Sequence, residues 1–241
     1  MSSTHPPRFQ STHWSLIVRA TGDRSDRGDA LEALCQGYWY PVYAFVRRRG
    51  LDRESAEDFT QDFFAALIDG GRLLQSANPS KGRFRTYLLA AVKHRLANWK
   101  RDRTTQKRGG HVQTFSVDWA DAEQKYAAEP TDGWTPETVF HRRWAMTVLA
   151  RVLDELKQHY ADRGRTDWFE AMRPMLVTAE TPDYASLAER LDASESAVRV
   201  ALHRLRKHYA DALRVEIGAT LDDDQDADAE RIELLRALTG K

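Results

Sequence analysis

The chain is 241 residues long, 41% apolar and 30% charged, with 36 basic residues balancing 36 acidic ones. That length holds one large domain or two small ones, no apolar run is long enough to span a bilayer, and a net charge of zero argues against a general nucleic-acid binder. Cys35 is the only cysteine, so an internal disulfide is excluded and a reducing compartment fits. The first residues, MSSTHPPRFQST, lack the basic-then-apolar order of a secretory signal. A cytoplasmic protein with no membrane association is expected.

Strand signals are scarce, and helical periodicity dominates, so the expected fold is all-α: two small helical domains joined by a flexible linker. Asp29 to Arg49 reads as a helix with Leu31, Leu34, Tyr38, Val42 and Phe45 on one side, and Pro41 inside it predicts a kink or a break. Ser55 to Ile68 is a second helix, with Ala56, Phe59, Phe63, Ala66 and Leu67 as its stripe. Ser55 with Asp58 suits a cap, and Gly70-Gly71 a stop. Arg83 to Arg101 is a third, turning Phe84, Tyr87, Leu88, Ala91, Val92 and Leu96 inward. These make a first domain over residues 12–103. Periodicity lapses over 104–135, where Gly109, Gly110, Pro130 and Gly133 collect, which reads as a linker. It resumes at Pro136 through Val139, Trp144, Val148, Val152, Leu156 and Tyr160, and a short helix, Asp167 to Leu176, follows. The second domain spans 136–217. Residues 218–241 carry an acidic run and a last helix, Ala229 to Leu238, and read as regulatory.

Charge is segregated along this order. Between Lys81 and Arg108 the chain is almost purely basic; the following stretch is acidic from Asp118 to Glu137; Arg199, Arg204, Arg206 and Lys207 form a second basic block; and Asp222 to Glu230 is acidic again. Such blocks read as partner-facing surfaces rather than as fold signals.

Asp183 to Tyr209 has the spacing of a helix-turn-helix. Leu187, Ala188 and Leu191 are the buried side of a short helix, Asp192-Ala193 makes the turn, and Ser194 caps a second helix that buries Ala197, Val198, Ala201, Leu202 and Leu205. Ser196, Arg199, His203 and Arg206 share its outer face, where they can offer donors to base edges and phosphates of a DNA major groove. The competing reading is an amphipathic core hairpin with a basic solvent side.

The segment DYASLAERLDASESAVRVALHRLRKHYADAL resembles the region 4 promoter-reading motif of extracytoplasmic-function (ECF) sigma factors of bacterial RNA polymerase. ALEALCQGYWYPVYAFVRRRG is similar to their region 2.1, SAEDFTQDFFAALI to region 2.2, and FRTYLLAAVKHRLANWKRDR to regions 2.3 and 2.4. The resemblance covers roughly residues 29 to 215. It implies region 2 over 12–103 and region 4 over 136–217, with core RNA polymerase and the −10 and −35 promoter elements as partners. Glu57, Asp58, Gln61, Asp62 and an exposed Phe64 match the polymerase-binding motif. Arg83, Arg85, Tyr87, Lys93, His94, Asn98, Trp99 and Arg101 are the −10 DNA-binding candidates: basic groups track phosphates and aromatics stack on unpaired bases. Ser194, Ser196, Arg199, His203, Arg204, Arg206 and Lys207 are the −35 DNA-binding candidates. The chain departs from the family at Tyr87, where Trp is usual, at His94, where Asn is usual, and at Asn98, where Asp is usual. LDELKQHYADRGRTDWFEAMRPML stands where a Leu-Pro turn is familiar, so a divergent subgroup is expected.

The resemblance also implies an anti-sigma factor as regulator. Thr60 among Glu57, Asp58 and Asp62 raises a second route, phosphorylation by a Ser/Thr kinase, which would add about 1.5 to 2 negative charges to the docking face. The tail from Asp222 to Glu230 raises a third, masking of a basic face. The rival function is a helix-turn-helix DNA-binding transcriptional regulator that is not a polymerase subunit. The eight histidines lack metal spacing, and no phosphate-cradling glycine loop or nucleophile motif occurs. No catalytic residue, cofactor or metal is therefore expected, and the chain does not read as an enzyme.

Overall fold

A computed structural model of the chain describes Ile17, Ala20 and residues 24–70, 72–78, 83–103, 117–129, 133–176, 182–218 and 236–238. The described residues form helices and no strand, an all-α architecture. The helices are α1 (Arg24–Arg48), α2 (Arg53–Gly70), α3 (Arg72–Gln75), α4 (Phe84–Arg103), α5 (Trp119–Ala127), α6 (Pro136–Ala161), α7 (Thr166–Met172) with a 3-10 turn at Arg173–Leu176, α8 (Tyr184–Arg190) and α9 (Glu195–Gly218). They divide into two compact units, one built on residues 11–147 and the other on 148–216.

The first unit forms because three amphipathic helices each carry an apolar stripe too large to leave in water. Leu31, Leu34, Tyr38, Val42 and Phe45 of α1, Phe59, Phe63 and Leu67 of α2, and Phe84, Leu88, Val92 and Leu96 of α4 are all buried. Tyr38 meets the edge of Phe84 at 5.5 Å, and Phe59 stacks on Phe63 at 6.2 Å. Each such side chain contributes about 1.5–3 kcal/mol. That sum explains why α1 runs unbroken through Pro41, where a kink or break is expected: one missing donor and a ring clash cost about 3 kcal/mol, and Tyr38, Val42 and Phe45 on either side are fully packed. The start of α2 is capped by Asp52 rather than by Ser55 with Asp58, for its carboxylate accepts from the Ser55 backbone N–H at 2.7 Å and from the Ser55 hydroxyl at 3.0 Å. Burial, reinforced by Glu32, pushes the Cys35 thiol up to about 12, so it is an inert core group.

Two expectations about the middle of the chain are corrected. The stretch 104–135 contains α5, capped by Asp118, which accepts from the Asp121 N–H at 2.9 Å. Residues 104–116 lie outside the described residues. The helix packs on α1: Trp119 meets Trp39 and Tyr43 at 5.9 and 5.6 Å. Glu123 accepts from the Tyr43 hydroxyl at 2.5 Å and from Arg47 at 2.6 and 3.1 Å. Beyond it, Glu129 has a side chain 1% exposed and is paired with Arg143 and, at 3.4 Å, with Arg142. The second correction concerns the boundary, which falls between Thr147 and Val148, inside α6, and not at 135. The first turns of α6 belong to the first unit because they complete its core and its charges. Phe140 meets the edge of Phe45 at 6.4 Å, Arg85 lies over the Trp144 ring at 4.4 Å, and Lys93 pairs with Glu137 at 2.8 Å.

In the second unit, Val152, Leu156, Phe169, Met172, Leu202, Leu205 and Ala212 make one core cluster, and Ala171, Leu187, Ala188 and Val198 a second that fixes α8 against α7 and α9. The acidic run 222–230 and most of the expected last helix lie outside the described residues; Arg236–Leu238 are helical.

Two outcomes test these ties. Glu129→Ala removes a buried carboxylate and leaves two partly buried guanidinium groups without their anion; it should lower the unfolding free energy by about 3 kcal/mol in urea titration. Asp121→Ala, which removes an exposed partner of Lys125, should change it by less than about 1 kcal/mol. The Glu137 carboxyl is held below its ordinary value of 4.5 first by the hydrogen bond from Lys93, against an opposing effect of burial. A lowered folded value stabilises above the unfolded one and loses that contribution as pH falls through it. The stability gap between wild type and Glu137→Gln should therefore be full at neutral pH and close on acidification below 4.5.

Candidate nucleic-acid interface

The α4 helix divides its basic and aromatic residues between two environments. On one side Tyr87, His94 and Asn98 line an open cavity of about 660 Å³ together with Leu73 and Ser76 from the α3 end and Arg95 from α4 itself. The spacing of seven and four keeps these three side chains in one row. Tyr87 is half-buried, and its hydroxyl donates to the Leu73 carbonyl, which fixes the ring as part of the wall. Burial raises the Tyr87 phenol above its usual value, so it stays protonated. His94 is exposed, and the Asn98 amide oxygen accepts from Arg101. Arg83, ahead of the first turn, and Arg101 fall on the same side by helical repeat. A row of polar edges and one aromatic ring, flanked by guanidinium groups and open to solvent, suits an unpaired base with its phosphates.

Three other candidates are not brought there. Arg85 is 3% exposed and lies under Trp144, so it is a core cation and not a phosphate contact. Lys93 is engaged by Glu137 on α6. Trp99 meets the edge of Phe59 at 5.7 Å and is half-buried against the core. In exchange the cavity includes Arg95, which the sequence reading left out although it stands in the same basic run. It donates to the Asp62 carbonyl at 3.2 Å and joins α4 to α2.

On α2, Glu57, Asp58 and Gln61 are partly exposed and Asp62 is exposed, which leaves an acidic face along the helix. Glu57 also pairs with Arg53 at 2.7 Å. Phe64 does not accompany them: it is 1% exposed, with its ring edge-on to Phe63 at 5.4 Å, and belongs to the core. Thr60 is likewise buried, and its hydroxyl donates to the Ala56 carbonyl at 2.7 Å. A kinase cannot reach it, and a phosphate there would sit among apolar side chains, so the phosphorylation switch is withdrawn.

In the second unit the helix-turn-helix expectation meets a matching geometry. Asp183 caps α8 by accepting from the Ala185 and Ser186 backbone N–H groups, both at 3.2 Å. The turn closes through Asp192, whose φ of 47° lies in the left-handed region that Asp tolerates. Ser194 caps α9 by accepting from the Ala197 N–H at 3.2 Å. Ala197, expected inward, is exposed, while Val198, Leu202 and Leu205 carry the buried side. Ser196, Arg199, His203, Arg204, Arg206 and Lys207 are all exposed on α9. Arg199 is steadied by Glu195 at 3.2 Å and by the Tyr184 ring at 4.0 Å, and Arg206 by the Met175 carbonyl at 3.3 Å.

Among the described residues no helix is long and apolar enough to cross a membrane. No curated protein and no solved structure matches the chain. Residues 34–106, the stretch that carries both the acidic face of α2 and the row on α4, match the family model of sigma-70 region 2.

Proposed function

We propose that the chain is an ECF-type sigma factor, a subunit that directs core RNA polymerase to promoters and helps to open them. The observation that carries this is the coincidence of the region 2 match with the α4 cavity: the matched residues include Tyr87, His94 and Asn98 in one solvent-open row. In this reading, Glu57, Asp58, Gln61 and Asp62 dock on a basic surface of the polymerase, where long-range charge steers the encounter and fixes the register. Tyr87, His94 and Asn98 hold a base of the opened −10 element, and Arg83 and Arg101 follow its backbone. Stacking of this kind is worth about 1–3 kcal/mol per base. The outer side of α9, from Ser194 to Lys207, reads the −35 duplex.

Transcription in vitro with core polymerase is the test. The wild-type chain should bind core polymerase and direct initiation from a promoter. Changing Glu57, Asp58 and Asp62 together to Lys should abolish core binding while leaving helical content by circular dichroism unchanged. Tyr87→Ala should preserve core binding and lower open-complex formation by ten-fold or more. If the wild-type chain binds duplex DNA tightly alone and never directs initiation, the chain is a free-standing helix-turn-helix regulator and the sigma reading fails.

A further inference from the structure

The second unit contains an open cavity of about 680 Å³ between the end of α6, the turn that follows it, and the first turns of α9. Its cationic walls come from Arg163, Arg165 and Arg204, with His159 and His208 beside them, and no carboxylate is among the residues that line it. The turn is built to present these groups. Gly164 takes a φ of 63°, its N–H donates to the Ala161 carbonyl at 2.9 Å, and the Arg165 N–H donates to the Tyr160 carbonyl at 2.9 Å. This paired closure of a helix end needs a residue free of Cβ strain at the left-handed position, and it sets Arg163 and Arg165 on either side of that position.

Two of these side chains are held by neighbours. Arg163 donates to the His159 carbonyl at 2.9 Å and lies 3.0 Å from His159 Nδ1. An acceptor Nδ1 leaves the proton on Nε2. The His159 ring stands edge-on to His208 of α9 at 5.7 Å, and Arg165 reaches over Trp168 at 5.9 Å. Burial first, then Arg163 and His208, hold His159 below its usual value; Asp162, tied to Gln158 at 2.7 Å, acts in the opposite sense. Arg163, Arg165 and Arg204 line the same cavity as Tyr160, and each opposes the rise that burial imposes on the Tyr160 phenol. Three other arginines of the unit meet carboxylates: Arg151 with Glu216, Arg199 with Glu195, Arg214 with Asp211. Arg163, Arg165 and Arg204, like Arg173, Arg190 and Arg206, pair with no carboxylate among the described residues. The N-terminus of α9, a 24-residue helix, opens on the same space through Ser194 and Ser196 and adds its partial positive charge.

Three arginines gathered along one concave wall, with no paired carboxylate among the described residues, suit a multiply charged oxyanion. We propose that this cavity is a phosphate site, in which Arg163, Arg165 and Arg204 grip a phosphodiester or phosphoanhydride group. The group comes either from the backbone of a duplex lying along α9 or from a free polyphosphate ligand. The inference uses only groups of the second unit and does not rest on the polymerase reading.

The test uses the full chain and a double variant, Arg163→Gln with Arg165→Gln, both outside the helix-turn-helix. Arg173→Gln, an exposed arginine of the same unit away from the cavity, is the charge control. Inorganic pyrophosphate is titrated while the His159 and His208 imidazole proton resonances are followed. Duplex affinity is measured by fluorescence anisotropy over a range of salt. Loss of saturable pyrophosphate shifts in the double variant, by ten-fold or more in affinity, with duplex binding unchanged, assigns the site to a free ligand. A weaker duplex affinity with a salt slope reduced by about 1 to 2 assigns it to DNA backbone. If neither probe distinguishes the double variant from wild type, or if Arg173→Gln weakens both probes equally, the proposal is overturned. Failure of the wild-type chain to bind any duplex would count against the DNA reading of α9 alone, and pyrophosphate then decides the cavity by itself.

Discussion

Glu129 sits with its carboxylate almost wholly out of water, held by Arg143 and Arg142, and a buried anion of that kind cannot be released without leaving charges stranded. The pairing joins the segment after α5 to the first turns of α6. With those turns in place, Phe140 closes on Phe45, Trp144 covers Arg85, and Glu137 reaches Lys93. The last two contacts fix which side of α4 faces α6. The opposite side, with Tyr87, His94 and Asn98, is left to solvent and to any strand that lies there. The candidate interface is therefore defined as much by what α6 covers as by the residues that form it.

Much of the fold was legible because a helix with one buried face writes that face into its sequence. The stripes of α1, α2 and α4, the short α8 and the cap at Ser194 all follow from spacings of three and four. Elements with more than one neighbour were harder to read. Thr60 and Phe64, four residues apart on α2, are buried beside the expected stripe of Ala56, Phe59, Phe63 and Leu67, which gives no warning that the buried arc is that wide. The α5 helix was hidden for the opposite reason. Only Ala122 is buried within it, and its docking rests on Glu123 and on aromatic edges, which carry no period.

Charge was legible as a pattern along the chain but not as a fate in space. The basic run of α4 contains an arginine under a tryptophan, a lysine in an ion pair and residues open to solvent. Sequence treats these cations alike, whereas desolvation and pairing give them different work. The same holds in the second unit, where Arg163 and Arg165 lie outside both basic blocks of the sequence. Their significance comes from Gly164 between them, whose backbone conformation turns both towards α9.

The position of the unit boundary inside α6 bears on how the protein can be taken apart. A fragment ended at the glycine-rich stretch after α4 would lack Phe140 and Trp144, so Phe45 and Arg85 would lose their covers. Expressed alone it would be sticky, and α4 would be free to shift. A fragment carried through Thr147 keeps those side chains, and a protease that prefers unfolded peptide should spare the interior of α6 even though the division between the units falls there.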